Sequence, residues 1–145
     1  MTIDVTNRSG SLVPAVAVEK LLTFAIDFME LHPDCELSVT FVADKEMEEL
    51  HIKWMDEPGT TDVLSFPMDE IKPNSKSNGP GIVGDIVLCP SFAERNEKQS
   101  LTKELELLTV HGVLHLLGFD HAQAKEEEAM FKLQEDLLEK WRATR

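Results

Sequence analysis

The segment Leu101–Leu117 constrains this chain more than any other. Leu105, Leu108, Val110, Val113, Leu114, Leu116 and Leu117 make it apolar nearly all round at helical periodicity, so it has to be buried. It also carries His111 and His115. Two close histidines in such a helix lose hydration, and that cost stands unless something pairs with them. Residues four apart share a helix face, roughly 5–6 Å apart at Cβ, so both imidazoles can reach one metal ion. Gly118 can take the left-handed conformation that ends a helix, which brings His121 back toward the same point. Taken singly, each histidine reads as a satisfied core residue. Together, His111, His115 and His121 read as three nitrogen ligands, with a fourth tetrahedral position for water, as in catalytic zinc sites. One Zn2+ per chain is the default, although other divalent transition metals suit the same nitrogens.

The spacing His-x3-His-x2-Gly-x2-His matches the zinc-peptidase pattern H-E-x-x-H-x-x-G-x-x-H, except that Gly112 stands at the catalytic glutamate. Losing a positioned general base costs on the order of 10²–10⁴ in rate, which weakens a peptidase reading. Asp120, beside His121, is the nearest carboxylate in sequence. It either acts as the base or orients a histidine, or it caps the turn through a local hydrogen bond.

Around this segment the chain of 145 residues, 42% hydrophobic and 28% charged, reads as one domain, 1–145. Ile3 and Val5 alternate as a strand. A helix follows from a Ser11 cap to near His32-Pro33, carrying Val18, Leu21, Leu22, Ala25, Phe28 and Met29. Leu37, Val39 and Phe41 form a strand, and Asp44 caps an acidic helix with Met47, Leu50 and Trp54. Residues 62–66 and 82–88 are strands, separated by a Pro-, Gly- and Ser-rich stretch, 72–81, read as a mobile loop. Helices to about Gln99, over 101–117 and over 125–141 complete an α+β fold, a small central mixed sheet covered by about five helices. The strand order is not legible.

The longest apolar run, Leu107–Phe119, is thirteen residues with two histidines, too short to span a bilayer. No basic region followed by an apolar run opens the chain, and Cys35 and Cys89 are its only cysteines. A cytoplasmic protein without a disulfide partner is expected. Thr61, Asp62 and Ser65 either line a cleft beside the metal or cap a strand end. Asp85, inside an apolar strand, either bonds across the sheet or faces the site. A formal charge of -13 excludes indiscriminate nucleic-acid binding. Positions 72–103 are nonetheless locally basic: Lys72, Lys76, Arg95, Lys98 and Lys103 face only Asp85, Glu94 and Glu97. They are the candidates for contact with a nucleic-acid backbone, or simply a solvated loop and helix face.

The run His111-Gly112-Val113-Leu114-His115-Leu116-Leu117-Gly118-Phe119-Asp120-His121, with Thr61-Asp62-Val63-Leu64-Ser65-Phe66-Pro67 and Gly84-Asp85-Ile86, closely resembles the bacterial YbeY family of rRNA maturation factors over nearly the whole chain. The resemblance implies a zinc-peptidase-like α+β domain and a metal-dependent endoribonuclease specific for single strands. It further implies roles in small-subunit rRNA 3′-end maturation and ribosome quality control, with rRNA and the small ribosomal subunit or its proteins as partners. The family's three metal ligands map onto His111, His115 and His121. Many members carry an aromatic-Arg pair before the Thr-Asp-Val-Leu-Ser-Phe-Pro run, where this chain has Trp54-Met55. Methionine cannot neutralise a phosphate, and Lys53 projects elsewhere from a helix. Two other readings stay open: a ribosome-assembly factor whose metal mainly holds the fold, and a peptidase-like metal hydrolase.

Overall fold

The computed structural model describes residues 2–96, 99–120 and 123–144. In chain order these form β1 (Thr2–Asn7), α1 (Ala15–Phe28), β2 (Glu36–Phe41), α2 (Asp44–Met55), β3 (Val63–Pro67), β4 (Ile82–Leu88), α3 (Pro90–Asn96), α4 (Leu101–Leu116) and α5 (Ala124–Ala143). The sheet runs β1-β2-β4-β3. Its first three strands are parallel, and β3 closes it antiparallel as an edge strand. The expected α+β architecture is therefore present, with a mixed sheet.

Side chains alternate across each strand, so the sheet has two unlike faces. Leu37, Val39, Phe41, Val83, Ile86 and Leu88 join the main core with residues of α1, α4 and α5. Leu64 and Val87 turn to the other face, where they meet only a small cluster around Met47 of α2. A bulge where the β2–β4 register skips Val83 lets both Val83 and Ile86 reach the main core. Gly84 sits at this bulge with φ +146, and a Cβ there would stand 2.4 Å from the Phe66 carbonyl oxygen. No helix among the described residues is long and apolar enough to cross a membrane.

Two helices end on the same device. In α4, Gly118 is left-handed, and the N–H groups of Gly118 and Phe119 donate to the carbonyls of His115 and Leu114, both at 3.0 Å. In α1 the left-handed residue is Glu30, and the N–H groups of Glu30 and Leu31 donate to Asp27 and Ile26 at 3.0 Å. That motif ends α1 at Phe28 rather than near His32, because it turns Leu31 into the core, where it is buried.

Three local expectations change. Ser11 does not cap α1; its carbonyl accepts from Asn7 Nδ2 at 2.8 Å in a preceding turn, and Pro14 occupies the cap position. Asp44 is the first residue of α2, with Ala43 as its cap. The carboxylate of Asp44 instead accepts two hydrogen bonds from Arg95 of α3, at 3.0 and 3.1 Å, and one from Cys89 Sγ at 3.3 Å. The 72–81 stretch is tied down: Asn74 N–H donates to the Met29 carbonyl at 2.9 Å, and a short 3-10 turn spans Lys76–Asn78.

The Arg95 guanidinium, chiefly by hydrogen bonding, holds the Asp44 carboxyl below its ordinary value. A carboxyl depressed in the folded state contributes stability above its unfolded pKa, near ~3.9, and loses it as pH falls through the folded value. Arg95→Ala should therefore be less stable than the parent at neutral pH, and the gap should close on acidification below about pH 4. Urea midpoints of both proteins across pH 3–7 check this, and a gap constant with pH would contradict it.

Candidate metal centre

Helix α4 lies between β3 and β4 on one side and α1, α3 and α5 on others, as its all-round apolar surface requires. His111 and His115 emerge together from it at the end of the sheet's covered face. Their rings are nearly perpendicular, at 83° and 4.5 Å between centroids, and their Nε2 atoms are 3.0 Å apart. His111 Nδ1 lies 3.0 Å from Gln134 Oε1 of α5, and His115 Nδ1 lies 3.0 Å from the Phe119 carbonyl oxygen. Both oxygens only accept, so both Nδ1 atoms carry the proton, and both Nε2 atoms turn electron pairs toward one point.

A single cation placed between the two Nε2 atoms would be coordinated by both imidazoles. Two nitrogens bound tetrahedrally to zinc at about 2.0–2.1 Å lie roughly 3.3 Å apart, close to the spacing found. The pair thus fits a divalent transition metal. Among the described residues no cluster of three or more ligand side chains occurs, and the expected third ligand, His121, lies outside them. The left-handed Gly118 does turn the chain as the spacing predicts, and the same turn aims the Phe119 carbonyl at His115.

A groove of about 600 Å³ opens over the pair. Asp62, Ser65 and Asp120 line it, together with Gly118, Phe119 and Met55. Ser65 Oγ donates to the Gly112 carbonyl at 3.3 Å, fixing β3 against α4 beside the histidines. Thr61 is not a lining residue; its hydroxyl donates to Asp62 Oδ1 at 3.5 Å. Asp85 takes the cross-sheet alternative, accepting from Ser38 Oγ. It lies on the face opposite the histidines, since its neighbour Ile86 is the one packed on α4. Gly112 packs closely on the sheet: a Cβ there would meet the Ile86 side chain at 3.0–3.2 Å, a tight contact that a glutamate would form only if Ile86 shifted.

The basic candidates scatter. Arg95 is bound to Asp44, and exposed Lys76 approaches Asp27 at 4.0 Å. Lys103 is exposed in the first turn of α4, and Lys98 lies outside the described residues. Lys72 does not line the groove, but its Nζ stands beside it, 2.9 Å from where a Cβ on groove-lining Gly118 would be. Gly118 thus serves both the turn and the close approach of this ammonium.

Gln134 is the functional residue that sequence reasoning missed. Its signal is a polar residue within the buried stripe Met130, Leu137, Leu138 and Trp141 of α5. Removing a group that orients a metal-binding imidazole typically costs about 10–100-fold in metal affinity. Gln134→Ala should weaken Zn2+ binding by that factor while the apo protein stays folded, as competition with a chelating dye would show.

Comparison with known proteins agrees with this geometry. The family pattern described as Endoribonuclease YbeY matches residues 7–142. A protein named Endoribonuclease YbeY from Rhodococcus erythropolis is 51% identical over 148 residues, covering 97% of this chain and 82% of that protein. One of the same name from Clavibacter michiganensis is 48% identical, covering 95% and 94%. The solution structure of TM1509 from Thermotoga maritima superposes with a TM-score of 0.62 at 25% identity, covering 99% of this chain and 93% of that one. The match spans sheet, helices and histidine segment alike, and the chain belongs to the endoribonuclease YbeY family.

Proposed function

We propose that this chain, as one domain over 1–145, is a metal-dependent endoribonuclease that cuts single-stranded RNA in rRNA maturation. The small-subunit rRNA 3′ end and ribosome quality control are the setting, and the reducing cytoplasm is the compartment. The observation that carries the reading is the His111–His115 pair, with Nε2 atoms 3.0 Å apart and both Nδ1 protons committed to oxygens, at the floor of an open groove in a chain of this family.

His111, His115 and His121 are the residues to hold the ion, Zn2+ by default. When bound, the ion supplies Lewis acidity toward a phosphoryl oxygen and toward water. The protein's own groups do the rest. Gln134 and the Phe119 carbonyl keep both imidazoles oriented. Asp120, exposed on the groove wall, takes the proton released on attack, and Asp62 and Ser65 offer polar contacts along β3. Lys72, beside Gly118, brings the positive charge that Met55 does not. The chain's charge of -13 opposes binding of bare RNA at long range, so a ribosomal particle or its proteins deliver the substrate. The peptidase reading loses its support because Gly112 stands where the peptidase pattern has its glutamate, so the helix supplies no base.

Purified, metal-loaded protein should cut a single-stranded RNA and spare duplex RNA and peptides. His115→Ala should lower turnover by at least about 100-fold together with metal content. Denaturing gels and metal analysis check this. No cleavage in any metal-loaded state, with metal loss unfolding the chain, would instead favour an assembly factor with a structural metal. A 2′,3′-cyclic phosphate on the product would assign the attack to the substrate's own hydroxyl. For Lys72→Met the loss should fall mainly on KM, by roughly ten-fold, with Lys72→Arg restoring most of it.

A further inference from the structure

A second groove, of about 640 Å³, begins where the first one ends. Met55 and Ser65 line both, so the two meet across the edge strand β3, one on each face of the sheet. Its walls mix polar groups with large apolar side chains that remain open to solvent: Trp54 is 58% exposed, Met68 58% and Met55 43%. Large apolar side chains gathered in one exposed groove mark a binding surface. The Trp54 and Phe66 rings meet edge-on at 70° and 6.1 Å between centroids. Phe66 pairs with Asp85 across β3–β4, and Asp85 pairs with Ser38 across β4–β2, so aromatic ring, carboxylate and hydroxyl stand side by side in one row. Asp85 accepts from Ser38 Oγ through Oδ1, and its side chain is among those lining the groove. Lys53 holds an ammonium 5.2 Å from the Trp54 ring centre, whereas Arg8, also on the wall, is bound to Glu46.

Aromatic rings, an acceptor in the lining and a cation at the rim together match a nucleotide, with a base to stack, an edge of N–H donors and a phosphate. We infer that this groove seats a nucleobase flanking the scissile phosphate, stacked on Trp54 with Phe66 edge-on beside it and its donor edge on Asp85. The single strand then runs from the histidine pair over Met55 and Ser65 onto the open face of the sheet. Guanine is preferred, because its adjacent N1–H and exocyclic amino group can both converge on the oxygen that Ser38 does not occupy, whereas uracil offers only one N–H. This step rests on the endoribonuclease reading for the direction of the strand but is tested separately from it.

The protein has two tryptophans, and Trp141 is only 5% exposed, so Trp54 is the reporter. Guanosine and uridine monophosphates contain no internal phosphodiester and bind without being cut. Guanosine monophosphate should quench the emission of the metal-loaded protein at lower concentration than uridine monophosphate. Trp54→Phe should abolish the quenching while thermal melting shows the chain still folded. Asp85→Asn should reduce the guanine preference but keep the quenching. In cleavage assays Trp54→Ala should raise KM by about ten-fold, as expected for a lost stacking contact, while Leu12→Ala, a remote exposed position, changes nothing. Absence of quenching with either nucleotide, or quenching that persists in Trp54→Phe, overturns the base seat even if RNA is cut. Quenching without any RNA cleavage sustains the seat and sinks the endoribonuclease reading instead.

Discussion

Two imidazole lone pairs held 3.0 Å apart at one end of a buried helix are the interaction around which this molecule is arranged. The arrangement is held by the packing and hydrogen bonds on every side of it. α4 is apolar on all sides and gripped by strands and helices, so its register on the sheet is fixed. Gln134 locks one ring from α5, and the Phe119 carbonyl locks the other from the turn that Gly118 makes possible. A rigid pair of this kind loses little conformational entropy when it takes a metal, which is the energetic purpose of the surrounding packing.

What could be read from the sequence divides along physical lines. The periodicity of α4 and the four-residue histidine spacing depend only on local geometry, and the structure places both as the spacing implies. The left-handed Gly118 was legible for the same reason. Strand order, the cross-sheet fate of Asp85 and the opposite faces of Ser65 and Asp85 depend on long-range pairing, which carries no local signature. The end of α1 shows the limit clearly: the His32-Pro33 pair is a sound stop signal, yet Glu30 ends the helix earlier because Leu31 has a core to enter. Asp44 had the right chemistry for a cap, and a partner fifty-one residues away claimed its carboxylate instead.

Gly112 illustrates how one residue can decide between reaction classes. At this spacing a glutamate belongs to peptide hydrolysis, and here the helix lies so close to β4 that a Cβ would press on Ile86. Close helix–sheet contact disfavours any side chain at that position. Under the proposed function, proton transfer falls to a carboxylate on the groove wall rather than on the helix.

The acidity of the chain bears on substrate choice through the same geometry. With 27 acidic against 14 basic residues, long-range attraction cannot gather RNA, so binding has to come from short-range contacts that act only once the strand has arrived. Stacking and carboxylate-to-base hydrogen bonds are of that kind, and the row formed by Phe66, Asp85 and Ser38 offers them on the face opposite the histidines. A duplex is too wide and too stiff to fold over a single edge strand and has no unstacked base to offer. Under the proposed function, the meeting of the two grooves across β3 therefore supplies a physical reason for single-strand selectivity that needs no strong positive field.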